Sequence, residues 1–344
     1  MITPSPTDKP RIAIYGMGQF GSLVARLAVE KGWPIVAAYN RAGPKIGQDV
    51  GRVAKLGEDM GVAVQDFDLA DFTALESDIA LVTHRDLLKD NMAAYRRLIG
   101  AGLNVLCHGV QSYYPQCHDP ELAAEIESMA QARGVTFSGS GIWDMSRIWS
   151  GILAAGPCTE ITSIDITSLS DAEAQTHSLE QMKQFAISEP VERFYEKGID
   201  KGVLAHAFKS VPEMVLVALG YDVIETTSVV EPVVFDEAVP SRHAPEGHFP
   251  AGLCMGIRMR STTTTRQGVV GTATVDSRII KPGEVEAMYW SVEGKPRTRI
   301  HVERLDSAHA TASNLFNRIP DVIAARPGIV PVFELGPLRH SALS

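Results

Sequence analysis

The sequence predicts an α/β protein: a doubly wound parallel sheet, then a second α+β domain built on a largely antiparallel sheet. Three observations carry this. Gly16, Gly18 and Gly21 lie where a first apolar strand should turn into a first helix. Short apolar runs then alternate with runs of helical period as far as about residue 155. Beyond Pro157 the texture changes to Thr- and Val-rich alternating stretches, the pattern of strands with one covered face.

The first element is Ile12 to Tyr15, and the helix after it carries Leu23, Val24 and Leu27 at helical spacing. Between them, Gly16 allows a tight turn and Gly18 lets backbone approach a pyrophosphate. Gly21 lets the helix pack closely, with its N-terminal N–H groups, beside Gln19 and Phe20, facing the phosphates. In that context the motif predicts a Rossmann-type dinucleotide site. The second strand, Ile35 to Tyr39, ends in Asn40 and Arg41, where an acidic residue would bind the ribose hydroxyls of NAD. An uncharged Asn40 and a forked, permanently charged Arg41 favour the 2′-phosphate of NADP, with NAD still possible. A solvated loop role for Arg41 stays open.

Asp78 to Thr83 reads as a buried strand, Leu87 to Ala101 as a helix and Asn104 to His108 as a strand. Pro120 to Arg133 then reads as a helix and Val135 to Ser138 as a strand. Such alternation implies a parallel sheet whose ligands lie beyond the strands' carboxyl ends, in the loops after Thr83, Cys107 and Ser138. The later strands are Ile161 to Leu169, Gly256 to Thr265, Gly268 to Ile279, Val285 to Val292 and Thr298 to Val302, interrupted by helices at Leu179 to Phe185 and Pro212 to Leu219. A last helix spans His309 to Ala325. The expected organisation is a disordered tail over 1–10, a dinucleotide-binding domain over 11–155, a substrate domain over 156–308, and a helix and tail over 309–344 that return to the first domain.

A chain of 344 residues with 45% hydrophobic and 21% charged residues suits two cored domains. The formal charge of -9 opposes a nucleic-acid or anionic-membrane partner, and no apolar run reaches the length of a membrane span. The four cysteines lack CxxC spacing, so no disulfide framework is expected, and a reducing cytoplasm fits best. Cys107-His108 and Cys117-His118 repeat a possible ligand pair, but without acidic or histidine neighbours at ligand spacing no metal is expected.

Several segments together resemble the 2,4-diaminopentanoate dehydrogenase family and its native amine dehydrogenase relatives, whose nucleotide domain is like that of dihydrodipicolinate reductase. They are the Gly16 to Gly21 loop, Gly47-Gln-Asp-Val-Gly51, Gly102-Leu-Asn-Val105, Tyr114-Pro115, Gly139-Ser-Gly-Ile-Trp-Asp144 and Asn317-Arg-Ile-Pro-Asp-Val322 through Pro327-Gly328. The resemblance runs from about Arg11 to Pro331. It implies a homodimer, paired through strands of the second domain, that uses NAD(P)H to interconvert an amine with an imine or a ketone and ammonia. It also implies a glutamate acid/base shortly before the Tyr-Pro pair, where this chain has Val110 and Gln111. The His-His-x-x-Lys run of dihydrodipicolinate reductase is absent.

The proton must then come from elsewhere. His108 has an ordinary pKa near working pH and lies at the same strand end. Tyr113 and Tyr114 offer phenols, and Gln111 a hydrogen bond to substrate. His177, in the loop after the second domain's first strand, is an alternative acid/base that Asp171 and Glu173 would tune. Trp143 and Val110 are expected to wall a substrate pocket with Asp144 and Met145, and Phe137 and Trp149 add to an apolar setting. Thr83, His84, Arg85 and His108 follow strands that end near the cofactor. The leading expectation is an NADP-preferring imine reductase or amine dehydrogenase. Carbonyl reduction on the same scaffold and a non-catalytic NADP-binding protein are the alternatives.

Overall fold

The computed structural model describes residues 9–72, 75–174, 176 and 178–340, so most of the tail expected over 1–10, and His177, lie outside the described residues. The chain divides into two compact units, Met1–Met145 with Asp306–Ser344, and Ser146–Leu305. The first division falls ahead of the position near Ala155 expected from the sequence.

The first unit opens with β1 (Ile12–Tyr15), α1 (Gln19–Glu30), β2 (Ile35–Asn40), α2 (Val50–Ala54) and β3 (Val64–Asp66). It continues with β4 (Ile79–Val82), α3 (Leu88–Gly100), β5 (Asn104–Cys107), α4 (Pro115–His118), α5 (Pro120–Arg133) and β6 (Thr136–Gly139). β1 and β4 are buried at every residue, as strands covered on both faces must be. α5 shows the local logic in full. The Asp119 carboxylate accepts from the Leu122 N–H at 3.0 Å, Pro120 fills the first turn, where no N–H is needed, and Gly134 ends the helix at φ +67°.

The second unit holds α6 (Ser150–Ala155), β7 (Glu160–Asp171), α7 (Leu179–Gln184), α8 (Val191–Glu196), α9 (Ser210–Ala218) and β8 (Val223–Val234). A two-stranded ribbon, β9 (Val239–Pro240) and β10 (His248–Phe249), precedes β11 (Cys254–Thr265), β12 (Val270–Arg278), β13 (Ala287–Lys295) and β14 (Thr298–Glu303). The sheet runs β14-β13-β7-β12-β11-β8, with β7 and β12 parallel and every other neighbour antiparallel. β8, to which the sequence reading gives no element, is an edge strand paired with β11. Its Pro232 argues against a strand in sequence but is tolerated at an edge, where a ladder N–H is dispensable.

The chain then returns to the first unit as α10 (Ser307–Asn317), α11 (Ile319–Ile323) and β15 (Gly328–Ile329). The helix expected over 309–325 is broken at Arg318, because Pro320 opens α11 and cannot sit inside a continuous helix. α10 and α11 lay Ala312, Leu315, Phe316, Ile319 and Val322 against the core that holds Val24, Ala25 and Leu27 of α1, with Phe316 4.5 Å from the Trp33 ring. The first sheet runs β15-β6-β5-β4-β1-β2-β3, parallel throughout.

Among the described residues no helix is long and apolar enough to cross a membrane, and no His, Cys, Asp and Glu group could hold a metal ion.

Candidate functional site

β1 and β4 are neighbours in the sheet, yet the chain leaves them in opposite directions, so the loops after Tyr15 and Val82 part and leave a crevice. A cleft of about 380 Å³ opens there, lined by the Gly16 to Gly18 turn, by Asn40, Arg41 and Lys45 beyond β2, and by Thr83 and His84 beyond β4.

The three glycines have separate reasons. Gly16 stands at φ +107°, open to glycine but costly for other residues. A Cβ on Gly21 would lie 2.2 Å from the Gly16 carbonyl oxygen. Gly18 has neither constraint: its φ is -77° and the nearest protein atom to a Cβ would be 4.0 Å away. Space above Gly18 is thus left for something outside the chain. No side chain caps α1, so the N–H groups of Gln19, Phe20 and Gly21 are the donors that a helix start leaves to a ligand. The residues therefore fit a dinucleotide.

The loop is held from two sides. The Thr83 hydroxyl donates to the carbonyls of Gly16 at 2.8 Å and Tyr15 at 3.0 Å. Asn40 Oδ1 accepts from the Met17 N–H at 2.8 Å, so this side chain braces the turn at the point where an acidic residue would bind ribose. Arg41 is exposed, with its Nε 3.8 Å from Asp68. Lys45, which the sequence reading does not single out, donates from Nζ to the Met17 carbonyl at 2.6 Å. Its only signal in sequence is a second cation on the loop leaving β2.

The ends of β4, β5 and β6 pack tightly. A Cβ on Gly109 would lie 2.6 Å from the Arg85 carbonyl oxygen, and one on Gly139 would lie 2.3 Å from the Ser112 backbone. His108 stacks on Phe20, ring centres 4.6 Å apart, and its Nδ1 lies 3.3 Å from the Val82 carbonyl oxygen. A carbonyl only accepts, so Nδ1 carries the hydrogen and Nε2 is the acceptor. Burial pushes the imidazole below its ordinary value, with Asp86 opposing. The ring is neutral at neutral pH, a proton acceptor where the sequence suggested a donor. His84, edge-on to Tyr15 at 5.4 Å, is likewise lowered by burial and then by Arg85. Arg85 is exposed.

Gln111 is buried, and its Oε1 accepts from the Leu88 N–H at 2.9 Å, capping α3. Val110 is half-buried at the start of the same turn. Tyr113 and Tyr114 are buried, with Tyr113 5.4 Å from the Trp143 ring and its hydroxyl 2.6 Å from where a Gly141 Cβ would stand. Met145 is exposed.

Asp144 lies fully buried. Its carboxylate takes Arg318 Nε at 2.6 Å and Nη2 at 2.8 Å, and the Ser140 hydroxyl at 2.9 Å. Burial pushes the carboxyl up and the Arg318 fork opposes it. Arg318 also holds Asp321 at 2.8 Å and the Gly336 carbonyl at 2.7 Å, so these residues clasp the loop after β6 to α11. Phe137 is core.

In the second unit, Asp171 accepts from the Glu173 N–H at 2.9 Å and is raised by burial, and Glu173 Oε1 accepts from the Ser241 hydroxyl at 2.5 Å. Asp171 is tied into its own loop, and Glu173 to the segment after β9.

With this geometry established, the similarities to known proteins become informative. Residues 151–343 match the model of the 2,4-diaminopentanoate dehydrogenase C-terminal domain. A 2,4-diaminopentanoate dehydrogenase of Acetoanaerobium sticklandii is 26% identical, over 95% of this chain and 94% of its own. An amine dehydrogenase from Mycobacterium smegmatis superposes with a TM-score of 0.82 at 28% identity, over 97% of this chain and 98% of that one. A biliverdin reductase from Synechocystis, solved with biliverdin and NADP+, shares the fold at a TM-score of 0.54 and 11% identity, over 96% of each chain.

Proposed function

Because the chain belongs to the 2,4-diaminopentanoate dehydrogenase family, a family of nicotinamide-dependent oxidoreductases acting on amine groups, we propose that it is an NADP-preferring enzyme that reduces a preformed C=N bond. The observation that carries the imine reading is the turn after β5. Val110 offers no ionisable group, and the acceptor oxygen of Gln111 is occupied by the N–H of Leu88. Capture and deprotonation of free ammonia are best served by a carboxylate, and neither Val110 nor Gln111 supplies one. A preformed imine does not need that step.

When bound, the nicotinamide supplies or takes up a hydride. The chain's task is to position and to exclude water. Gly16, Gly18 and Gly21 admit the pyrophosphate to the start of α1, and Asn40 and Arg41 meet the adenosine ribose without a carboxylate. Thr83 fixes the glycine turn, and His84, Arg85 and His108 border the nicotinamide end. A buried tyrosine hydroxyl, Tyr113 or Tyr114, donates the proton to the imine nitrogen, and the Nε2 of neutral His108 accepts from the N–H of the amine product. Trp143 and Val110 bound the apolar side of the substrate. The first unit holds the cofactor, the second contributes the substrate and dimer surfaces, and the working form is a cytoplasmic homodimer.

The test is NADPH and NADH oxidation on a panel of cyclic imines and ketones, each with and without ammonium. Imine turnover in ammonium-free buffer, faster with NADPH, is the expected result. Ketone turnover that needs ammonium would refute the imine reading, ketone turnover without ammonium would reassign the enzyme to carbonyl reduction, and tight cofactor binding without turnover would leave a binding protein.

A further inference from the structure

We infer that Lys45 is a specificity-determining residue that supplies a second positive charge for the 2′-phosphate of the dinucleotide. The inference deepens the NADP reading and rests on it.

A phosphate monoester near neutral pH carries close to two negative charges. Arg41 alone meets it poorly, since its Nε stands 3.8 Å from Asp68, which offsets part of its field. Lys45 lines the same cleft as Asn40 and Arg41. It is half-buried and pairs with a backbone carbonyl, that of Met17, at 2.6 Å, rather than with a carboxylate. An ammonium has three donors, and this contact uses one. Two remain for a ligand.

The position of Lys45 is fixed from both ends. Met17, which accepts its ammonium, is braced through its N–H by Asn40 at 2.8 Å. The loop that carries it is pinned to β3, with the Gly47 N–H donating to the Val64 carbonyl and the Val64 N–H to the Gln48 carbonyl, both at 2.8 Å. Asp49 then accepts from the N–H groups of Gly51 at 2.7 Å, Met60 at 2.8 Å and Val62 at 3.1 Å. The cation is therefore held against the glycine turn before any ligand arrives, which lowers the ordering cost of binding.

The experiment is calorimetric binding of 2′,5′-ADP and 5′-AMP to the full-length protein and to its Lys45→Met and Lys45→Arg variants, with a melting curve for each. Wild type should prefer 2′,5′-ADP. Lys45→Met should weaken 2′,5′-ADP by about tenfold to a hundredfold, the size of one hydrogen bond to a charged group, and leave 5′-AMP within about twofold. Lys45→Arg should recover most of the preference. If wild type binds the two nucleotides equally, the NADP reading itself fails. If wild type prefers 2′,5′-ADP and Lys45→Met keeps that preference, or loses both nucleotides equally, Lys45 merely ties the loop and the inference is overturned.

Discussion

Replacing Asp144 by Asn separates a structural from a substrate-contacting role for the one acidic residue in the loop after β6. Asp144 and Arg318 are both 0% exposed and are joined by two bonds of 2.6 and 2.8 Å. Removing one charge of such a pair leaves the other buried and uncompensated, which costs about 3–5 kcal/mol. Asn keeps the volume and the Ser140 contact, and Arg318 retains Asp321 at 2.8 Å, so the lower end of that range, about 3 kcal/mol, is expected. For a unit of this size, that is a fall in Tm of about 6–12 °C. Scanning fluorimetry and urea titration measure it, with kcat and KM taken well below the transition. Asp144→Leu with Arg318→Met, which removes both charges, should cost less than the two single changes added together. An Asp144→Asn variant that melts within about two degrees of wild type but has lost turnover would refute the reasoning and return the carboxylate to the substrate.

Gly21→Ala should abolish cofactor binding and lower Tm, since its Cβ would stand 2.2 Å from Gly16 O, whereas Gly18→Ala should fold normally and weaken NADPH binding by about tenfold or more, read by calorimetry beside melting curves. Gln111→Ala should cost about 1 kcal/mol through the lost cap on α3, while Gln111→Glu, which keeps an acceptor for Leu88 N–H, should stay near wild type in urea. His84 and His108 titrate below the ordinary 6.5 in the folded protein. Between that value and the folded one the unfolded chain binds protons that the native state does not. Stability therefore falls as pH drops from 6.5 through this window, by at most about 1.4 kcal/mol per pH unit for each ring. His108→Gln should flatten the slope in urea titrations at stepped pH.

The parallel sheet was legible because its strands are buried on both faces and its helices carry strong ends, such as Asp119, Pro120 and Gly134 around α5. β8 was hidden because an edge strand with one open face tolerates Glu, Thr and Pro232. The site was legible where glycine geometry dictates it, at Gly16 and Gly21. It was not legible where a side chain's use depends on a distant partner. Asp144 reads as a pocket acid until Arg318, far along the chain, is placed beside it, and Gln111 reads as a ligand contact until Leu88 takes its oxygen. Lys45 had only a weak local signal, a second cation on its loop, because its proposed role depends on the Met17 carbonyl of the glycine turn.

The first unit is built from two stretches of chain separated by the whole of Ser146–Leu305. During synthesis, the face of α1 beside Trp33 therefore waits for Phe316 and Leu315, and the edge of β6 waits for β15. At roughly 5–20 residues per second that interval is on the order of ten to thirty seconds. Over that time the nascent first unit presents an uncovered apolar face and an unpaired sheet edge, and the second unit can fold before the first is complete.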